Sequence, residues 1–282
     1  MSGATRREAI KASGLAMGAL MAAPALAKGA GKLDLATPEG RLKAFVKMRG
    51  SLDERLLTSW VSARYYGIVG DEMRPLFSVR SAVFSRYRRA VDGGYEAVNA
   101  EIAWFTDPDS GKVLTTWTNP YTGGECKVPM GGYAPSKVFI RPDLGFALAK
   151  PVPGLEMQHE ILPFEARGQD LYVTERNRTA MRFAPNAKPF RYSESNTFHA
   201  PLDAVLSAAP HVPSDVSFTN VCSWRPWMEM GDTQGHLSAI GIGKQGGDKA
   251  SLPAEWVAAT AQFRPEVLQD PAALLAPLWN AR

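Results

Sequence analysis

Two neighbouring residues, His159 and Glu160 in Met157-Gln158-His159-Glu160-Ile161, are the first candidates for acid–base chemistry in this chain. The stretch reads as a strand, where successive side chains point to opposite faces, so one of the pair faces inward and the other does not. An inward histidine beside a tyrosine can act as general base, because its pKa lies near working pH. A histidine packed and hydrogen-bonded without catalytic duty is the competing reading. Tyr65 is the tyrosine chosen, which makes His159, Glu160 and Tyr65 the expected catalytic set. Of the other histidines, His199 fits either role, His211 lies in a loop between Pro210 and Pro213, and His236 starts a strand where it could line a barrel mouth. The spacings between the four histidines form no ligand motif, and neither Cys126 nor Cys222 has a second Cys or His at zinc spacing. No cofactor is expected, and a metal is left open, since folding can bring distant ligands together.

Aromatic residues are plentiful in the apparent strands and turns. Core packing accounts for most of them. The abundance nevertheless suits a flat, apolar ligand, with Arg64, Tyr66 and Arg225 as polar contacts and Trp117, Tyr121, Trp224 and Trp227 as ring contacts. The usual catalytic templates are missing: there is no G-x-S-x-G, H-E-x-x-H, Walker loop or dinucleotide fingerprint in a βαβ context. Gly241-Ile242-Gly243-Lys244-Gln245-Gly246 reads as a turn after a strand.

The elements that must position these residues are mainly strands. Thr37-Pro38 is an N-cap and first-turn pair for a helix through about Met48. From Leu56 the periodicity becomes two, and strands are predicted at 76–87, 95–105, 112–118 and 125–129, joined by Asp-Gly-Gly, Asp-Pro-Asp-Ser-Gly and Asn-Pro-Tyr-Thr-Gly-Gly turns. The stretch 130–154 reads as a long loop or lid. A hairpin follows at 155–164 and 169–176, then an irregular stretch 186–209 with a short helix at 202–208, strands at 216–224 and 236–242, and helices at 254–263 and 266–275, the last checked by Pro271. Neighbouring strands with short turns predict an antiparallel meander closing into a lipocalin/calycin-like barrel with a few peripheral helices.

The N-terminus carries Thr5-Arg6-Arg7-Glu8-Ala9-Ile10-Lys11, an apolar run over 14–21 and Ala25-Leu26-Ala27. Paired arginines, a short apolar stretch and a small-x-small end are the signature of a twin-arginine signal peptide, here residues 1–27. The expectation is export to the periplasm through the twin-arginine translocase, leaving a single barrel-like domain over 28–282. No segment is apolar enough over about 20 residues to span a bilayer. Removing residues 1–27 takes away Arg6, Arg7 and Lys11 against Glu8, so the net charge falls from +4 to +2. That is too weak for a nucleic-acid partner. Cys126 and Cys222 could pair in an oxidising compartment, and two buried thiols fit equally well.

Several segments together resemble a bacterial and fungal family, domain of unknown function 1838. They are the stretch Ala44 to Asp53, Trp117-Thr118-Asn119-Pro120-Tyr121-Thr122-Gly123, Trp224-Arg225-Pro226-Trp227-Met228, and Gly241-Ile242-Gly243-Lys244 with Leu252-Pro253. The resemblance covers nearly the whole mature chain and implies that these segments are shared features. It carries no reaction. The functional expectation is a cofactor-independent lyase or isomerase acting by side-chain acid–base chemistry on a hydrophobic, aromatic or phenolic small molecule, such as a lignin-derived dimer. A non-catalytic periplasmic binding protein for an apolar ligand is the alternative. An enzyme requires titratable groups with shifted pKa values converging inside the barrel; a carrier requires an apolar cavity with one or two satisfied anchors.

Overall fold

The computed structural model describes residues 33–132, 134–184 and 188–281; the proposed signal peptide lies outside them. The first element of the described residues is α1 (Pro38–Arg49), capped by the Thr37 side chain accepting from the Gly40 amide at 3.0 Å. Thirteen strands follow among the described residues. A first group runs β1 (Leu57–Val69), β2 (Glu72–Arg89), β3 (Tyr95–Thr106), the small hairpin β4 (Thr116–Thr118) and β5 (Glu125–Lys127), β6 (Ser136–Ile140) and β7 (Phe146–Leu148). A second runs β8 (Leu155–Ile161), β9 (Glu165–Arg167), β10 (Asp170–Met181), β11 (Phe190–Pro201), the short helix α2 (Leu202–Leu206), β12 (Ser214–Cys222) and β13 (His236–Gly247). Helices α3 (Ala254–Phe263), α4 (Pro265–Gln269) and α5 (Pro271–Trp279) close the chain.

The large sheet is antiparallel, in the order β7-β6-β3-β2-β1-β13-β12-β11-β10-β8, with β9 added beside β10. Each half of the chain forms its own meander, and the first strand pairs with the last to join them. The sheet curls until its edges β7 and β8 approach. There the closure is made by side chains: the rings of Phe146 and His159 stack with centroids 3.5 Å apart. The protein is thus mainly β, a nearly closed antiparallel barrel with a few helices.

Both barrel ends are plugged. Helix α1 is buried almost all round, with Leu42, Phe45, Val46 and Met48 inaccessible, because it sits against inward residues of both meanders such as Ala97, Val173 and Phe198. At the other end Trp117, Cys126, Met228 and Trp227 pack on the inward Phe77, Phe105 and Leu237. Helices α3 to α5 cover the outer face of β2 and β3, where Trp104 donates to Thr260 Oγ1 at 2.9 Å and Trp256 donates to the Ile102 carbonyl at 3.0 Å.

The structure departs from the sequence expectations in several places. Residues 130–154 are not a plain loop; they hold β6 and β7 and supply the barrel's edge. The irregular stretch before α2 is the twelve-residue strand β11, whose polar run Ser193 to Thr197 conceals a strand with a polar inner face. The segment Gly241 to Gly246 belongs to β13 instead of forming a turn. A Cβ on Gly243 would lie 2.0 Å from the Trp60 carbonyl oxygen, so glycine is needed there for close approach of β1 and β13. Cys126 and Cys222 are both buried free thiols.

Candidate active site

Strand pairing sets which side chains meet inside the barrel. His159 lies opposite Asn177, Asn177 opposite Glu194, and Glu194 opposite Asn220, so β8, β10, β11 and β12 carry these four side by side on the inner wall. On the same strands Glu175 and Tyr192 face inward one step to either side, and Glu101 and Ser81 face them from β3 and β2. Glu101, Asn177, Tyr192 and Glu194 are only part-buried although protein surrounds them, so the inner wall between the plugs is not sealed by apolar packing.

Two clusters occupy this chamber. In the first, Arg49 reaches in from the last turn of α1 and grips Glu175 through Nε (2.6 Å) and Nη2 (3.2 Å), while Nη1 donates to the Tyr87 hydroxyl at 2.7 Å. His159 Nε2 lies 2.9 Å from Glu175 Oε1. Burial works against the Glu175 anion, but Arg49 and His159 outweigh it and hold the carboxyl down at about 2. The anion therefore fixes the Nε2 proton, and Nδ1, which is buried and has no partner in the protein, is the ring atom left to take up a proton. A carboxylate orienting a histidine in this way is the arrangement of a general base with its positioning residue.

The second cluster holds Tyr192, Glu194, Glu101, Arg225 and Tyr65. Tyr192 donates to Glu194 Oε2 at 2.8 Å. Burial, reinforced by the negative charges of Glu175 and Glu101, pushes Glu194 up to about 7. Burial likewise raises Glu101, against the pull of Ser81, which donates to it at 2.6 Å, and of Arg225. Arg225 donates to the Tyr65 hydroxyl at 3.1 Å and lies over the rings of Tyr65 and Phe105. A carboxyl that titrates near neutrality is suited to giving or taking a proton at working pH.

Of the residues expected from sequence, His159 faces inward in the first cluster, and Tyr65 and Arg225 meet in the second. Glu160 and Arg64 do not. Each neighbours an inward residue, so strand alternation sends it outward, where Glu160 faces Arg176 at 3.6 Å and Arg64 donates to the Pro108 carbonyl at 3.1 Å. Tyr66 is outward for the same reason, next to Tyr65 and opposite Ser238. Trp117 and Trp227 belong to the aromatic plug, 5.6 Å apart, and Tyr121 packs on Trp224 at 5.4 Å on its rim. Sequence reading missed Glu175, Glu194, Glu101, Tyr192 and Arg49. A signal was available: glutamates at 175 and 194 stand on the same parity as the apolar Val173 and Phe198, which marks them as inward-facing. Among the described residues, no three His, Cys, Asp or Glu side chains are placed to hold a metal ion.

Fold and site together define a plugged antiparallel barrel with ionisable residues in its interior. Residues 53–275 match the family described as protein of unknown function DUF1838, and the chain belongs to that family. The matched span includes every chamber residue named above except Arg49. No curated protein matches the chain.

Proposed function

We propose that this protein is an acid–base enzyme of the lyase or isomerase type, acting on an aromatic or phenolic small molecule held between the two plugs. The observation that carries this is the pairing, on one inner wall, of a histidine oriented by a buried carboxylate with a second carboxyl that titrates at about 7. His159 Nδ1 removes a proton from the substrate. Glu194, whose Oε2 is engaged by Tyr192, returns one through Oε1 to the carbon or leaving oxygen that gathers negative charge. Arg225 and the Tyr65 hydroxyl steady a developing oxyanion. For a phenol, loss of its proton pushes charge through the ring and expels a group from the side chain; a lignin-derived dimer losing formaldehyde is one such substrate. Converging titratable groups with shifted pKa values favour this reading over a passive carrier, whose cavity would be apolar with one or two anchors.

The test is incubation of the purified protein with a pool of phenolic dimers and other apolar aromatics, with and without chelator, followed by mass spectrometry of the small molecules. A new product mass is expected, with turnover reduced about 10²- to 10⁴-fold by His159→Ala, the range for loss of a general base. Full turnover in that variant removes the assignment. Retention of compounds without change supports the carrier instead. We also propose export through the twin-arginine translocase, on the strength of Arg6-Arg7 and the apolar run after them. Replacing both arginines by lysine should hold the protein in the cytoplasm on cell fractionation.

A further inference from the structure

The row His159, Asn177, Glu194, Asn220 is rich in acceptors that lack a hydrogen. Asn220 is 2% exposed, and its Nδ2 donates to the Ser193 carbonyl at 2.8 Å, which fixes the amide and leaves Oδ1 buried with no partner. Asn177 Oδ1 is buried and unpartnered in the same way. His159, with a side chain 4% exposed, leaves Nδ1 unpartnered, and in the neutral ring that atom accepts. Buried polar atoms are nearly always satisfied by protein or ordered water, and three of the unmade acceptors stand at one level of one wall, on β8, β10 and β12. The two asparagines are the register partners on either side of Glu194, so whatever fills them lies against the proton-exchanging carboxyl.

We propose that this row is a hydroxyl-reading subsite, and that the ligand of the chamber carries at least two hydroxyl groups, donated to Asn177 Oδ1 and Asn220 Oδ1, beside the proton taken by His159. The inference rests on the acid–base reading for the role of His159, while the asparagine pair stands on its own geometry. Neighbouring strands are about 4.8 Å apart, so the two asparagine Cα atoms lie roughly 10 Å apart with Glu194 between them, and a ligand that serves both oxygens needs its hydroxyls on different carbons. At the plug end Trp227 Nε1 is a buried donor without a partner, so the same ligand meets an acceptor-seeking group there. An aryl ring bearing an ether or methoxy oxygen, with a hydroxylated side chain, matches both ends.

The test compares 1-(4-hydroxyphenyl)propane-1,3-diol with its fully O-methylated counterpart, which keeps the carbon frame and the oxygens but has no donor. Each is titrated into the purified full chain by calorimetry. The diol should bind at least tenfold more tightly. Asn177→Leu and Asn220→Leu should each weaken the diol at least tenfold and leave the ether unchanged; the ligand-free Tm of Asn177→Leu stays level or rises because an unsatisfied acceptor has gone, and that of Asn220→Leu falls modestly with the loss of its bond to the Ser193 carbonyl. Asn177→Ser and Asn220→Ser serve should a leucine prove too large. Equal binding of diol and ether overturns the proposal, as does failure of the diol to bind at millimolar concentration. It is also overturned if the variants lose Tm while their diol affinity is unaltered. The two readings fail separately: a protein that prefers the diol but turns nothing over keeps the subsite and loses the enzyme. One that turns over substrate without preferring diol to ether keeps the enzyme and loses the subsite.

Discussion

Glu175 meets Arg49, which grips it with two nitrogens, and His159, which it orients; removing its charge therefore acts on both. Glu175→Gln leaves the part-buried Arg49 guanidinium without its anion, a change for which the cost of breaking a fully buried pair, about 3–5 kcal/mol, is the upper limit. The expected result is a clear drop in Tm together with a fall in kcat larger than any change in KM, because the amide no longer fixes which ring nitrogen carries the proton. Glu194 gives the complementary prediction. If it delivers a proton, kcat/KM falls about tenfold per pH unit above about 7, the value to which burial raises it. Glu194→Gln should abolish that alkaline limb in a pH–rate profile and leave only a low, flat rate.

At the scale of elements, the approach of β1 to β13 is where the two meanders become one sheet. Gly241 and Gly243 allow it: a Cβ at Gly241 would stand 2.5 Å from the Ser62 carbonyl oxygen and one at Gly243 2.0 Å from that of Trp60. Both are backbone contacts that cannot rotate away. Gly243→Ala should destabilise by about 1–3 kcal/mol, the cost of overpacking a close contact, and is checked by thermal unfolding. Gly123→Ala is a poor comparison despite open space around it, because its φ of +74° strains any side chain there. The strands were only partly legible from sequence. β1 and the first two turns followed from alternation and turn residues. β11 did not, because Tyr192, Glu194 and Asn196 face a polar chamber where an apolar face is the usual sign of a strand.

For the whole molecule, two inward glutamates set opposite limbs of pH stability. Glu194 is raised from its ordinary 4.5 to about 7, so the stability tied to its protonated form is full below 4.5 and lost as pH rises through 7, an upper bound of about 3 kcal/mol. Glu175 is lowered to about 2, so its contribution is full above 4.5 and lost as pH falls toward 2. From these two groups Tm is therefore expected to peak near pH 4.5, falling toward pH 7 on one side and toward pH 2 on the other. Glu194→Gln should flatten the alkaline side of the Tm profile and leave the acid side intact; an unchanged alkaline slope would place that titration elsewhere.

The amino-acid order by itself determined the mainly β class, the antiparallel meander, the capped first helix and the family, because alternation, turn chemistry and local motifs are read from neighbours along the chain. It also named His159, Tyr65 and Arg225. Only the tertiary structure decided that His159 faces inward and Glu160 outward, since strand parity becomes a direction only when the sheet curls around a particular side. It alone brought Arg49, Glu175 and Glu194 to His159 across 126 residues of sequence separation in the case of the Arg49–Glu175 pair. Register between distant strands, set by burial of the whole inner wall, is a property of the closed sheet and of no single segment.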